Sequence, residues 1–268
     1  MNRDFSIHTS VGRLSGRTAG PDGGIPLVLL QRFRGTMDDW DPAFIEAIAA
    51  DRRVIWFDST GIGLSDGKVP GTIAGMAAVV GALIEALDLR LVDILGWSLG
   101  GVVAQQLALD APHLLRRLIV AASSPGSITD GPQPHPRVPQ VMTHAINDID
   151  DFLFLFFPES ATAVAAGRAC LTRIAEQPNR GSGVTAEAFM AQVKAISSWQ
   201  GVLHRAAELR LPMLVANGAH DVMLPAYRSY VLAQQAPDAK LILYPDAGHA
   251  FLFQEAEEFA AEVDRFLV

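Results

Sequence analysis

Gly96-Trp97-Ser98-Leu99-Gly100 places one serine between two glycines, where a short apolar run (residues 91–95) gives way to helical spacing (residues 102–109). A serine hydroxyl alone is a weak nucleophile. It needs a base, usually histidine, and the base needs a carboxylate to hold its tautomer. On a sharp strand-to-helix turn the hydroxyl is exposed and the helix N-terminus lies beneath a developing oxyanion. Small neighbours let strand and helix approach. The pattern therefore points to acyl transfer on Ser98.

The partners are expected at later strand ends, acid before histidine. Asn217-Gly218-Ala219-His220-Asp221 follows the apolar run 211–216 and offers Asp221 as the acid. Gly248-His249-Ala250 follows the run 240–244 and the turn Pro245-Asp246-Ala247, and offers His249 as the base. Asp246 is the rival carboxylate, but its nearness to His249 in sequence favours Asp221. His8, His113, His135, His144, His204 and His220 lie in less suitable places.

Elements must bring these groups together. Residues 5–8 and 12–15 read as an opening strand pair. Apolar runs at 26–30, 53–58, 91–95, 118–122, 211–216 and 240–244 read as strands buried on both faces. Helical patterns separate most of them: 41–48, with Asp41 as N-cap and Pro42 at the first position, then 73–87, 227–236 and 255–266. The alternation implies an α/β fold, a mostly parallel sheet with helices on both faces. It breaks at residues 123–207, which open with Pro, Gly and Ser and then turn helical. We therefore expect a core of residues 1–122 and 208–268 and a helical lid of residues 123–207.

Composition narrows the function. The chain has 268 residues, half of them hydrophobic, and a formal net charge of -8. That charge argues against a nucleic-acid groove. One cysteine, Cys170, excludes an intrachain disulfide. No signal-peptide core and no run near the ~20 apolar residues of a membrane span is present. A cytoplasmic protein without membrane attachment is expected, as monomer or homodimer. The histidines lack metal-ligand spacing, and Gly61-Ile62-Gly63 lacks the third glycine of a dinucleotide loop. Neither a metal nor a cofactor is expected.

With the elbow at 96–100, the Gly218–Asp221 turn and the Gly248-His249 pair in this order, the chain resembles the α/β-hydrolase superfamily over nearly its whole length. The resemblance implies an eight-stranded sheet, a lid after the sixth strand, and the roles of nucleophile, acid and base for Ser98, Asp221 and His249. It also implies an oxyanion hole from the backbone N–H groups of Leu99 and Phe33. The subgroup it suggests lies near esterases and cofactor-free haloperoxidases. The sequence departs from that pattern at Gln31-Arg32, where many relatives carry His-Gly. Arg32 and Arg34 are expected to pair with Asp38, Asp39 or Asp58, or else to bind an anionic group.

The expected pocket draws on Arg34, Trp97, Phe154, Phe157, Met223 and Leu224. Its substrate would be a small-to-medium hydrophobic ester, thioester or lactone. Perhydrolysis, C–C bond hydrolysis or a lyase reaction on the same triad are alternatives, as is a small-molecule receptor with this fold.

Overall fold

The computed structural model describes residues 2–178 and 180–268. Its strands are β1 (Arg3–Thr9), β2 (Gly12–Ala19), β3 (Leu27–Leu30), β4 (Val54–Phe57), β5 (Val92–Trp97), β6 (Leu115–Ala121), β7 (Met213–Gly218) and β8 (Ala239–Tyr244). They form one sheet in the order β1-β2-β4-β3-β5-β6-β7-β8. β2 runs antiparallel to both β1 and β4, and the remaining pairs are parallel. All eight expected strands and the mostly parallel sheet are present.

Side chains alternate along each strand and so feed two separate cores. Val28, Leu30, Val92 and Ile94 enter one core, which is completed by α2 (Ile73–Ala86) and α3 (Leu99–Asp110). Leu27, Leu29, Leu95 and Trp97 enter the other, against α1 (Pro42–Ile48). The connection from β6 to β7 holds α4 (Val138–Met142), α5 (Ile149–Phe156), α6 (Ala161–Ala175) and α7 (Ala186–Ser198). The C-terminal part adds α8 (Tyr227–Gln235), α9 (Phe251–Gln254) and α10 (Ala256–Leu267).

Polar anchors fasten the β6–β7 connection to the sheet. The Asp41 side chain caps α1, accepting the Ala43 N–H at 3.0 Å, with Pro42 supplying the fixed φ of the first turn. That buried carboxylate also receives both donors of Arg173 on α6, at 2.8 and 2.5 Å. One residue thus starts a core helix and holds a helix of the connection. No helix among the described residues is long and apolar enough to cross a membrane.

Candidate active site

Ser98 sits between the end of β5 and the start of α3 with φ 56° and ψ -116°, a conformation that L-residues rarely adopt. Its N–H donates to the Ala121 carbonyl at 2.9 Å, and its carbonyl accepts the Ser123 hydroxyl at 2.7 Å. The flanking glycines are steric requirements. A Cβ on Gly96 would collide with the Gly100 backbone, and one on Gly100 with the Leu30 carbonyl of β3. The surrounding packing holds the serine backbone in its strained conformation.

Asp221 and His249 meet across two loops. The His249 Nδ1 to Asp221 Oδ2 distance is 2.7 Å, and both residues are buried. The other carboxylate oxygen, Oδ1, accepts the N–H groups of Met223 and Leu224, each at 2.8 Å. With both oxygens accepting, the carboxylate fixes the ring orientation and favours Nδ1 as the donor. Nε2 is buried and has no hydrogen-bond partner among the described residues, Ser98 Oγ included. The loops press together because Gly218 has no side chain: a Cβ there would strike the carbonyls of Ala247 and Gly248. The rival Asp246 instead accepts the Ser160 hydroxyl at 2.8 Å, and His144 pairs with Asp151.

A cavity of about 690 Å³ joins Ser98 and His249. Phe33, Arg34 and Met223 also line it, as do Phe152, Leu155 and Phe156 of α5 and Ile174 of α6. Neither the Phe33 N–H nor the Leu99 N–H donates a hydrogen bond among the described residues. The Leu99 side chain faces a separate cavity of about 60 Å³ with Phe57, Ile62, Val80 and Val103.

Four expected pocket residues lie elsewhere. Trp97 alternates into the core with Leu95, fully buried, and its indole N–H donates to the His249 carbonyl at 2.9 Å. It holds the His249 backbone. Phe154 turns to the other side of α5, against His135 and Arg137, because helical spacing puts Phe152 and Phe156 on one face and Phe154 on another. Phe154 and Phe157 line a different cavity, with Pro134, Pro158 and Tyr227. The Leu224 backbone serves Asp221 and Asn217 instead.

Sequence reading missed Phe152 and Phe156. Their rings stack at 4.3 Å, and Phe156 lies 5.6 Å from the His249 ring. The Phe156 carbonyl also accepts the Ala250 N–H at 2.9 Å, so the end of α5 clamps the base loop. The i, i+4 spacing was the available signal. A helix apolar on nearly every side did not say which face was inward.

Of the two arginines, Arg32 keeps the expected pairing loosely, with Asp39, and Arg34 departs from it. Arg34, at φ 57°, donates to the carbonyls of Met142, His144 and Ala145 and to Asn147 Oδ1, between 2.8 and 3.1 Å. It meets the α4–α5 link rather than an aspartate. Arg32 approaches Asp39 only to 3.8 Å, and burial pushes its pKa down, partly countered by Asp39. Asp38 binds Arg17 at 2.6 Å and the Gly181 N–H at 2.7 Å. Gln31 shapes the loop: its Oε1 accepts the Arg32 N–H at 2.8 Å and its Nε2 donates to the Thr36 carbonyl at 3.0 Å.

Asp58, just after β4, braces this loop. It accepts the N–H groups of Met37 at 2.7 Å and Leu64 at 2.9 Å. Burial pushes its pKa up to about 6 despite those donors, which favour the charged form.

A family model described as the alpha/beta hydrolase fold matches residues 25–256. The chain belongs to the α/β-hydrolase family. A solved α/β-hydrolase fold protein from Chitinophaga pinensis superposes with a TM-score of 0.88 and 33% identity, covering 100% of this chain and 98% of that one. The poly(3-hydroxyalkanoate) depolymerase of Ectopseudomonas oleovorans is 29% identical over 235 residues, 84% of this chain and 78% of its own. The pimeloyl-[acyl-carrier protein] methyl ester esterase of Pectobacterium carotovorum subsp. carotovorum (strain PC1) is 29% identical over 257 residues, 91% of this chain and 94% of its own. This α/β-hydrolase is an enzyme, with the strained Ser98 turn and the buried His249–Asp221 pair placed at one end of its parallel strands.

Proposed function

We propose that this enzyme hydrolyses small-to-medium carboxylic esters through an acyl-enzyme on Ser98. The observation that carries the reading is the buried His249–Asp221 pair at 2.7 Å, with Nε2 unpartnered among the described residues and with His249 and Ser98 lining one cavity. A relative named as a methyl ester esterase supports the ester class.

In the proposed reaction His249 Nε2 takes the proton of Ser98 Oγ as that oxygen attacks the ester carbonyl. The N–H groups of Phe33 and Leu99, which donate to nothing else, receive the oxyanion. The imidazolium, held by Asp221, gives its proton to the departing alcohol. Water then attacks the acyl-serine, losing its proton to His249. The tetrahedral intermediate collapses, releasing the acid and returning the proton to Ser98. Residues 123–207 act as a lid: α5 and α6 wall the cavity with apolar side chains suited to an acyl chain.

Hydrolysis of p-nitrophenyl esters from acetate to decanoate tests this. The wild type should turn them over with a chain-length optimum, and Ser98→Ala should lose at least roughly 10⁵-fold in kcat/KM. Equal rates for both proteins would overturn the proposal.

A further inference from the structure

Three arginines, Arg32, Arg34 and Arg180, line the Ser98 cavity, against one acidic side chain, Asp39. This excess of positive charge is local, because the chain as a whole carries -8. Two of the three are each tied down by several hydrogen bonds. Arg34 donates to three carbonyls and to Asn147. Arg180 donates to the carbonyls of Asp38 and Ile174 and to Asp39 Oδ1.

Arg32 differs. Among the described residues its guanidinium makes one hydrogen bond, from NH1 to the Phe33 carbonyl at 2.9 Å. Its Nε is buried without an acceptor, and NH2 stays 3.8 Å from an Asp39 oxygen that already accepts the Thr36 N–H at 2.8 Å. What holds it is aromatic: its Cζ lies 5.1 to 5.7 Å from the ring centroids of Trp97, Phe152 and Phe156. Aromatic rings offer no carboxylate or carbonyl acceptor to the guanidinium N–H groups, whose fork matches a planar anion.

We propose that Arg32 is a specificity-determining residue that recognises a carboxylate, so that the preferred substrate is an ester carrying a second, ionised carboxyl group. The proposal rests on the ester-hydrolase reading. The ester carbonyl lies at Ser98, and the carboxylate forms a charge-assisted pair with Arg32 beside the Phe33 N–H. A carboxylate on the acyl side and one on the alcohol side have the same chemistry, and the test separates them.

The test compares kcat/KM for monoethyl succinate, glutarate and adipate with that for neutral ethyl esters of equal length. Esters of hydroxy acids supply the carboxylate on the alcohol side. The readout is the ratio of acidic to neutral ester in the wild type, Arg32→Met and Arg32→Lys. The wild-type ratio should exceed one in at least one series. It should fall about 50-fold in Arg32→Met, as expected for loss of a charge-assisted hydrogen bond, and recover in part in Arg32→Lys. Calorimetry of glutarate and adipate binding to Ser98→Ala, with and without Arg32→Met, reads the anion site without turnover. A wild-type preference for neutral esters, or an equal loss on both ester types, overturns the proposal. Absence of dicarboxylate binding to Ser98→Ala also overturns it. Dicarboxylate binding that depends on Arg32, with no ester turned over, would instead sink the ester reading and leave the anion site standing. If Arg32→Met does not fold, the wild-type ratio and the Arg32→Lys variant decide.

Discussion

The loops above the parallel strands and the helices between β6 and β7 are built on different principles. In the loops, glycines sit where a Cβ would meet backbone: Gly96 and Gly100 around Ser98, Gly218 beside the base loop. Backbone cannot move aside, so the positions of Ser98, Asp221 and His249 are over-determined. The connection is held by side chains: Arg173 on Asp41, Arg34 on the α4–α5 carbonyls, and Phe156 beside the His249 ring. Side-chain contacts can be re-cut one at a time. In the proposed reaction, chemistry belongs to the rigid part and selectivity to the adjustable part.

The largest expected effect contrasts two aspartates. Asp221→Asn should lower kcat/KM roughly 10⁴-fold by upsetting the histidine tautomer. Asp246→Asn, whose side chain binds Ser160, should stay within about threefold, because substitutions away from the reacting groups cost little. A larger loss in Asp246→Asn than in Asp221→Asn would make Asp246 the catalytic acid. Next, Gly100→Ala should destabilise the fold by about 4 kcal/mol or prevent folding. Gly81→Ala, on α2 with nothing within 4 Å of the added methyl, should stabilise by about 0.5–1 kcal/mol. Urea unfolding of both measures the gap.

A smaller contrast lies within α5. Phe156→Ala should cost about 3 kcal/mol and shift the acyl-chain preference. Phe154→Ala should leave that preference in place, since Phe154 faces Arg137 and His135. The same chain-length profile in all three proteins would mean that α5 does not line the working pocket.

These contrasts also explain what sequence could reveal. Gly96, Gly100, Gly218 and Gly248 punctuate strand ends, so the site framework was legible from residue type and order. Asp221 could be preferred to Asp246 because Asp246 lies so near His249 in sequence. The inward face of α5 was not legible, because phenylalanine or leucine fills 152–157 and periodicity has nothing to contrast. Trp97 adjoins Ser98 in sequence, yet strand alternation carries it into the core with Leu95. Arg34 was misread because its partners are backbone carbonyls more than a hundred residues away, which no spacing encodes.

The smallest expected effect is on pH. Asp58 has its pKa raised to about 6 in the fold, above the ordinary 3.8 of the unfolded chain. The folded state therefore binds the extra proton between those values, and stability falls as pH rises from about 4 to about 6, by on the order of 2 kcal/mol. Asp58→Asn should flatten that slope. It should also lower stability by about 1 kcal/mol, because its amide faces one of the N–H donors of Met37 and Leu64. An unchanged slope in the variant would place the titration elsewhere.

The central claim is that Ser98 is a nucleophile activated by His249. Labelling with a fluorophosphonate, followed by peptide mass mapping, tests it most directly. The account predicts one adduct per chain, on Ser98, absent in Ser98→Ala and strongly slowed in His249→Gln. Labelling of another serine, or an adduct rate indifferent to His249, would contradict it.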